Sequence, residues 1–314
     1  HHHTPKTIRE SDSYMEPKAS ALYTKNSRIG TVIDQTLKVF HIETTLNNRM
    51  FGAPTDFLAK KEEDYTEADR LKFQALRFTL SKLPRAAARK VLNAIPAPYD
   101  VTGVFAGATE PTHQKTLEQS WKQYVVPVEG QSDIVIFPIP FVSPYSVNSI
   151  LNPLLVQVMG LGYFYNLNRG VPLVKKGGVL ILLHPAYDEF DPVQHPSYIE
   201  FFHRLLPETR DSMKLEHKYE KEFAENPSYV HLYRKGNAYH GVHPFYMWYW
   251  GENGRQHVGK VIVVGADNAH VPALLGWDRT DTLSEAIEEA RGFMGRSASI
   301  SLLRIAPTVM VDVK

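Results

Sequence analysis

Asp133-Ile134-Val135-Ile136-Phe137-Pro138-Ile139 is the stretch that decides the fold of this chain. It is a short apolar run ended by Pro140, a pattern typical of a strand buried on both faces of a sheet. A second run of strand length, Val179-Leu180-Ile181-Leu182-Leu183, follows after a segment long enough to contain a helix. Two such strands with a crossover between them predict a right-handed βαβ unit, whose strands are parallel.

The segment after the first strand is the first candidate site. Ligands of open α/β sheets bind beyond the carboxyl ends of the strands, and residues 141–148 occupy that position. We nominate Tyr145 and Asn148 of this segment as substrate-binding residues. The amides of Asn148 and Asn152 could hydrogen-bond a carboxylate or hydroxyl, although a helix-capping role alone also explains Asn148.

Alternating strands and helices around this unit predict two α/β domains. Residues 1–128 are predicted to form the amino-terminal domain. Residues 55–95 are a charged helical insertion in it, with a buried stripe of Leu71, Ala75, Phe78 and Leu83. Residues 129–314 form a Rossmann-like domain, with a mostly parallel sheet and helices on both faces. Its helix near residue 283 has a start signal. Asp281 or Thr282 is predicted to cap the amino terminus of the helix, and the Glu285 side chain can hydrogen-bond back to the capping residue.

Composition restricts the classes of partner. The 314 residues are 43% hydrophobic and 22% charged, with a net charge of +1 and no cysteine. A nearly neutral chain gives no electrostatic reason to expect a nucleic acid or an anionic membrane as partner. No apolar run approaches the roughly 18 residues of a membrane span. We therefore expect a small-molecule ligand and, by default, a cytoplasmic location.

A dense aromatic segment, residues 239–250, contains the candidate catalytic residues His240 and His243. They are three residues apart near a predicted helix start, so a helix that has begun there places both rings on one face. This spacing suits an acid/base pair or a metal pair, because imidazole titrates near neutral pH. The alternative is that both histidines only cap the helix and pack against the neighbouring tyrosine and tryptophan rings. Trp248 is nominated as a pocket wall, with a place in the core as its alternative.

Familiar nucleotide and hydrolase motifs are missing from the sequence. No G-x-G-x-x-G follows a strand, and no Walker loop, H-E-x-x-H or G-x-S-x-G occurs. Two functions therefore stay open on the residues alone. One is a non-catalytic α/β binding module, and the other is a histidine-dependent metal hydrolase that uses His240, His243 and Asp188. The leading His1-His2-His3 could equally be native or the remnant of a purification tag.

Three local patterns, in order, resemble the lactate racemase family. The first is His3-Thr4-Pro5-Lys6-Thr7-Ile8, followed by Lys25-Asn26-Ser27-Arg28-Ile29. The second is Phe40 and Asn47, followed by Val101-Thr102-Gly103-Val104-Phe105-Ala106-Gly107 and His113. The third is Ser132-Asp133-Ile134-Val135-Ile136 with Pro144, Lys176-Gly177-Gly178-Val179-Leu180-Ile181 and Lys260-Val261-Ile262-Val263-Val264. Together they extend over nearly the whole chain.

The resemblance implies a cofactor and a reaction. Members of this family use a covalently attached nickel-pincer nucleotide, and His3 matches the histidine that binds the nickel. The pyridinium carbon of the cofactor accepts a hydride from the α-carbon of a 2-hydroxy acid, while a histidine removes the hydroxyl proton. Return of the hydride to the opposite face inverts the centre. The chain is thus expected to be an isomerase, a racemase or epimerase of a hydroxy acid.

The chain departs from the family pattern at three places. The family's two acid/base histidines and its cofactor-bearing lysine lie upstream of the position matched by His3. Either the amino-terminal part that carries them precedes this sequence, which makes residues 1–128 the remainder of a cofactor-type domain, or the protein cannot hold the cofactor alone. The family's substrate-binding Gln and Lys fall near Leu151 and Leu154. The aromatic segment around His240 and His243, which match no family residue, suggests a larger or more apolar hydroxy substrate.

Overall fold

The computed structural model describes residues 4–9, 21–47, 49, 51–141, 143–146, 150–303 and 309–314. The chain forms two compact units. The large unit comprises Tyr124–Lys314 together with the described residues as far as Gln35, and the small unit is Thr36–Gln123. The predicted division after residue 128 lies close to the end of the small unit. The early residues, however, join the large unit, where Ile8 is buried in the core.

The strands of the described part are numbered in chain order. They are β1 His41–Leu46, β2 Val101–Gly107, β3 Val125–Val128, β4 Ser132–Pro138, β5 Asn168–Arg169, β6 Val174–Leu183, β7 Lys260–Val264, β8 Asp278–Thr280, β9 Ile300–Leu302 and β10 Met310–Val313.

The α-helices of the described part are numbered in the same way. They are α1 Pro5–Arg9, α2 Ala21–Thr36, α3 Glu67–Lys82, α4 Arg85–Asn93, α5 Thr109–Tyr124, α6 Pro153–Gln157, α7 Pro196–Glu200, α8 Ser212–Leu215, α9 Lys221–Glu225, α10 Pro227–Lys235, α11 His243–Trp250, α12 Glu252–His257, α13 His270–Leu275 and α14 Leu283–Met294. Wider π-helical turns, Val158–Tyr163, Phe201–Leu205 and Glu216–Glu220, continue α6, α7 and α8.

The large unit is built on a five-stranded sheet in the order β8-β7-β6-β4-β9. All four neighbouring pairs are parallel, and β4 and β6 are in register with Ile136 opposite Ile181. The predicted βαβ unit is therefore confirmed. From β4 the chain moves outward to β8 and then returns to add β9 on the other side of β4. Loops that follow β4 and β6 thus emerge at the sheet edge where such folds bind ligands.

Helices cover both faces of this sheet because successive side chains of a strand point to opposite faces. Val135 and Phe137 of β4 join a large core with helices α6, α7 and α11. Ile134 and Ile136 face the other way, and there the alanines of α14 pack closely on β4, β6 and β7. This confirms the predicted Rossmann-like architecture of the carboxy-terminal part.

A second, smaller sheet of the large unit has the order β3-β10-β5, with both pairs parallel. In it, β3 pairs with β10, the last strand of the chain. Residues 125–128 were predicted to end the amino-terminal domain. This pairing shows why they belong to the large unit instead.

The small unit combines an antiparallel pair, β1 and β2, with helices α3, α4 and α5. The predicted helical insertion at residues 55–95 is present as α3 and α4. Its predicted buried stripe is wrong, since Leu71 and Phe78 are exposed. No second layer of described residues covers that face of α3, so its apolar periodicity does not lead to burial. Across the described ranges, no helix is both long and apolar enough to cross a membrane.

Candidate functional site

Two groups of polar side chains lie on the segments that follow β4, β6 and β7. The first, here called the tyrosine–histidine cluster, consists of Tyr145, Tyr163, His195, Tyr198, Tyr239 and His243. The second, the Asp188 cluster, consists of Asp188, His203 and His270.

Tyr145 connects the members of the tyrosine–histidine cluster. Its hydroxyl lies 3.0 Å from the hydroxyl of Tyr163, and its ring meets the His243 ring edge-on, with the ring centres 5.0 Å apart. Its main-chain carbonyl accepts a hydrogen bond of 2.8 Å from Nε2 of His195. The flanking turn is closed by Ser143 and Ser146, whose amide and hydroxyl are 3.0 Å apart. Tyr145 is thus fixed through both its backbone and its side chain.

The bond between Tyr198 and His243 defines the state of the imidazole. The Tyr198 hydroxyl lies 2.5 Å from Nδ1 of His243. Tyr198 is completely buried, and burial raises the pKa of its phenol well above the ordinary value, so the phenol keeps its proton. The phenol can donate to Nδ1, an arrangement in which the proton of a neutral His243 ring resides on Nε2. Half-buried His243 also stacks on Tyr239, with 4.6 Å between ring centres.

His195 is a fixed, neutral part of the cluster. It is completely buried, and burial lowers its pKa, so the ring stays uncharged at neutral pH. Nε2 carries the proton because it donates to the Tyr145 carbonyl. The Tyr239 ring lies parallel to the imidazole with 5.3 Å between centres. His195 therefore ties the loop after β4 to the segment before α7, a positioning role.

His184, the residue directly after β6, is a second buried neutral histidine. Its Nδ1 accepts the Ala186 amide at 2.9 Å, which puts the ring proton on Nε2. Burial lowers the pKa of His184 to about 4. Among the described residues Nε2 finds no hydrogen-bond partner. Ala186 has a positive φ of 42°, an uncommon conformation for a residue with a side chain.

The two nominated histidines do not act as a pair in this structure. Helix α11 begins at His243, with Pro244 in its first turn, so His240 precedes the helix and lies outside its face. The His240 ring contacts Tyr233, with 5.1 Å between ring centres. His243 instead joins Tyr145, another predicted site residue. The structure therefore brings Tyr145 and His243 together and leaves His240 against another helix.

Trp248, the predicted pocket wall, is a core residue. It is completely buried, its indole N–H donates to the carbonyl of Arg210 at 3.2 Å, and the Arg255 guanidinium lies 4.1 Å from its ring centre. A side chain with no exposed surface has none to offer to a substrate. The prediction of a substrate contact is corrected on this ground, since the apolar face of α11 turns into the core.

Two nominated residues, Asn148 and the proposed nickel ligand His3, lie outside the described residues. Asn152 is described, and it caps α6 through a bond of 3.1 Å from the Leu155 amide to its side-chain oxygen. The capping role considered for this loop therefore belongs to Asn152.

Asp188 was considered together with His240 and His243, but its neighbours are His203 and His270. Nε2 of His203 lies 3.4 Å, and Nε2 of His270 4.0 Å, from the Asp188 carboxylate. Neither histidine was predicted from the sequence as a site residue, and neither was Tyr198. A signal was available for His270, which follows β7 in the chain as Asp188 follows β6, because the carboxyl ends of neighbouring parallel strands lie at one edge of the sheet.

An apolar cavity lies away from both clusters. It is lined mainly by side chains of β4, β6 and β10 and of the turn after α6, among them Phe137, Phe164, Leu180 and Val311. The phenol of Tyr165 is its one titratable lining group, and burial raises the pKa of that phenol above its ordinary value. Such a lining suits a gap in core packing and offers no acid or base for catalysis.

Comparisons with known proteins give distant similarities only. No family model matches the sequence, and no curated protein matches it. The lactate racemase apoprotein from Thermoanaerobacterium thermosaccharolyticum is 18% identical with a TM-score of 0.40, over 67% of this chain and 42% of that chain. A protein of known structure from Thermotoga maritima is 12% identical with a TM-score of 0.45, over 94% of this chain and 54% of that one. The chain thus spans less than two thirds of either structure, and TM-scores below 0.5 assign it no function.

Proposed function

We propose that the tyrosine–histidine cluster binds a small 2-hydroxy or 2-oxo acid through the oxygen on its second carbon, and that the chain takes part in racemising or epimerising this acid. One observation carries the proposal. The buried Tyr198 hydroxyl lies 2.5 Å from Nδ1 of His243, and when it donates there the half-buried imidazole presents Nε2 as a donor, with its ring edge-on to the Tyr145 ring.

A neutral imidazole donor suits a reaction in which negative charge develops on oxygen. Inversion of a hydroxy acid through a planar oxo form would require a hydride acceptor of the pyridinium class, which takes the hydride from the second carbon and returns it to the opposite face. The oxygen would carry negative charge while the hydroxyl proton is away. Donors that are already in position stabilise such charge without reorganisation. Tyr198 prevents the His243 ring from turning, and the stack with Tyr239 holds its plane. His243 therefore orients and polarises the oxygen at the reacting carbon.

The nickel-pincer nucleotide is implied by the resemblance alone, and its implied ligand, His3, lies outside the described residues. We therefore derive no step through this group. The role proposed for His243 concerns the oxygen on the second carbon of the acid.

The test measures binding and inversion separately on the full chain. Calorimetric titration with D-lactate, L-lactate and 3-phenyllactate gives affinities, and chiral chromatography after incubation gives inversion. We expect His243→Phe to weaken binding and to reduce inversion by about 10²-fold, the usual effect of removing one such donor. His243→Gln, whose amide can replace the Nε2 donor, should restore part of both.

The control variant is His217→Phe, which changes an exposed histidine outside the cluster. The proposal is contradicted if the His243→Phe variant binds and inverts the acids as the parent chain does. Binding that depends on His243 without inversion in any preparation would instead favour the non-catalytic binding module.

A further inference from the structure

We propose that Asp188, His203 and His270 form a binding site for a divalent transition-metal ion of the Zn²⁺ class, with coordination positions left open for water or a substrate. The proposal is independent of the function suggested for the tyrosine–histidine cluster, because it rests on other residues. The metal-site proposal rests on the convergence of one carboxylate and two imidazoles from three separate segments.

The distances between the three side chains are close to those that a shared ion requires. Two ligands that are each 2.0–2.2 Å from a tetrahedral Zn²⁺ lie about 3.4 Å apart. Nε2 of His203 is already 3.4 Å from Oδ1 of Asp188, and Nε2 of His270 is 4.0 Å from Oδ2. The three ligand atoms all lie within 4.8 Å of one another. Small rotations of exposed side chains close the remaining gap.

The backbone that carries each ligand is fixed by packing. His203 directly follows Phe201 and Phe202, which are completely buried, and it lies in the π-helical turn after α7. Turns of this kind often occur at functional sites. His270 begins α13 and precedes the completely buried Val271. Only the outer parts of the side chains are therefore free to adjust to an ion.

The Asp188 segment is held to the same scaffold. Phe190 packs against Phe202 and His203, with ring centres 5.5 and 5.6 Å away. The main-chain carbonyl of Pro185 accepts a bond of 2.6 Å from the amide of Asp267, which joins the segments after β6 and β7. The His203 and His270 rings are nearly parallel, at 11°. Three anchored segments thus converge on one point.

The type of ligand atom selects the ion. Imidazole suits Zn²⁺, Co²⁺ and Ni²⁺, whereas Mg²⁺ and Ca²⁺ prefer sites made only of oxygen. Two histidines and one carboxylate are also the ligand set of several metal sites that keep positions open for water. All three residues of the Asp188 cluster are solvent-exposed, so water and small anions can reach the ion. The site therefore suits an ion that activates water or polarises a bound oxygen.

A plain ion pair is the competing explanation, since a carboxylate between two protonated imidazoles needs no metal. The experiment separates the two with Zn²⁺ titration by calorimetry and with the visible absorption bands of bound Co²⁺. It uses the full chain in which His1, His2 and His3 are changed to alanine, because three consecutive imidazoles would bind these ions themselves. We expect one ion per chain in this background.

Single variants then assign the ion to the cluster. Asp188→Asn, His203→Ala and His270→Ala should each weaken Zn²⁺ binding more than tenfold, since even outer partners of metal ligands contribute 10–100-fold. Each should also shift or abolish the Co²⁺ bands. His217→Ala and His231→Ala, which remove exposed histidines elsewhere, should change neither.

Two results would overturn the proposal. One is the loss of all binding when His1, His2 and His3 are replaced. The other is unchanged Zn²⁺ affinity in all three cluster variants, with circular dichroism showing that they are folded. Because the cluster is exposed, the variants are expected to fold. The affinity for hydroxy acids in His243→Phe tests the other proposal, so one can fail without the other.

Discussion

The hydroxyl of Tyr198 lies 2.5 Å from Nδ1 of His243, so a buried phenol is the hydrogen-bond partner of one nitrogen of a half-buried imidazole. The two residues are far apart in the sequence and belong to α7 and α11. Their contact exists only because both helices pack on the same face of the five-stranded sheet. The chemistry available at His243 is thus set by a residue from another helix.

Tyr198→Phe should release this constraint. The variant removes the donor to Nδ1, so we expect ¹⁵N NMR to show a mixture of His243 tautomers in place of the Nε2–H form. Loss of a mainly buried hydrogen bond should lower the free energy of unfolding by about 1 kcal/mol. Urea denaturation measures this change. Tyr233→Phe, at an exposed position, is the control and should alter neither property.

His184 should make stability depend on pH between about 6.5 and 4. Its pKa is about 4 in the folded chain and about 6.5 in an unfolded one. Between these values the unfolded chain binds the extra proton, so the free energy of unfolding falls as the pH falls. The full effect is on the order of 3 kcal/mol.

His184→Asn tests this dependence. The asparagine oxygen can still accept the Ala186 amide, but the side chain does not titrate. We expect a flatter profile of urea midpoints from pH 6.5 to 4 than in the parent chain. His231→Asn, an exposed substitution, should keep the parent profile. An unchanged slope in His184→Asn would show that this ring is not the titrating group.

Removal of the Glu252 charge should lower the free energy of unfolding more than removal of an exposed charge does. Its side chain is 7% exposed, and its Oε2 accepts bonds from Ser212 at 2.6 Å and from Arg255 at 2.8 Å. Glu252→Gln leaves the Arg255 charge buried without its counterion, which should destabilise the chain by about 3 kcal/mol. Chemical denaturation measures the loss.

Glu225→Gln is the matched comparison for Glu252→Gln. Glu225 pairs with Lys221 at 3.8 Å, and both side chains are exposed. Such a pair should change stability by about 0.5 kcal/mol or less. Equal effects of the two variants would mean that the buried pair contributes no more than the exposed one.

Thr282→Ala should weaken the start of α14. The Thr282 hydroxyl accepts the Glu285 amide at 3.2 Å, and the Glu285 carboxylate accepts the Thr282 amide at 3.0 Å. Removal of an N-cap of this type costs about 1 kcal/mol. Thermal unfolding followed by circular dichroism should therefore show a lower midpoint. Ser284→Ala, inside the same helix and exposed, should leave the midpoint nearly unchanged.

The sheet was predictable because each of its central strands is marked by a short apolar run of neighbouring residues. The apolar runs of β4, β6 and β7 are buried on both faces, and uninterrupted apolar runs of that length are typical of central parallel strands. The capping box at Thr282 and Glu285 was predictable for the same reason, since its two residues are one helical turn apart. The stripe predicted for α3 failed because periodicity shows which face is apolar and cannot show whether another element covers it.

The candidate site was predictable only in part. The loop after β4 and its Tyr145 could be found, because ligand sites in parallel sheets lie beyond strand ends. The pairing of His240 with His243 depended on a helix start that the structure places three residues later, at His243. Tyr198 and His203 carried no local signal that connected them to His243 or Asp188, and His270 carried only its position after β7.

From its own residues the sequence determined the parallel sheet and the burial of its strands, since hydrophobic pattern and turn chemistry act over a few residues. Tertiary structure alone decided that the Tyr198 hydroxyl meets Nδ1 of His243 and that Asp188 lies beside His203 and His270. Those contacts join segments that are distant in the chain. They follow from how helices pack on the sheet, and sequence spacing does not encode that packing.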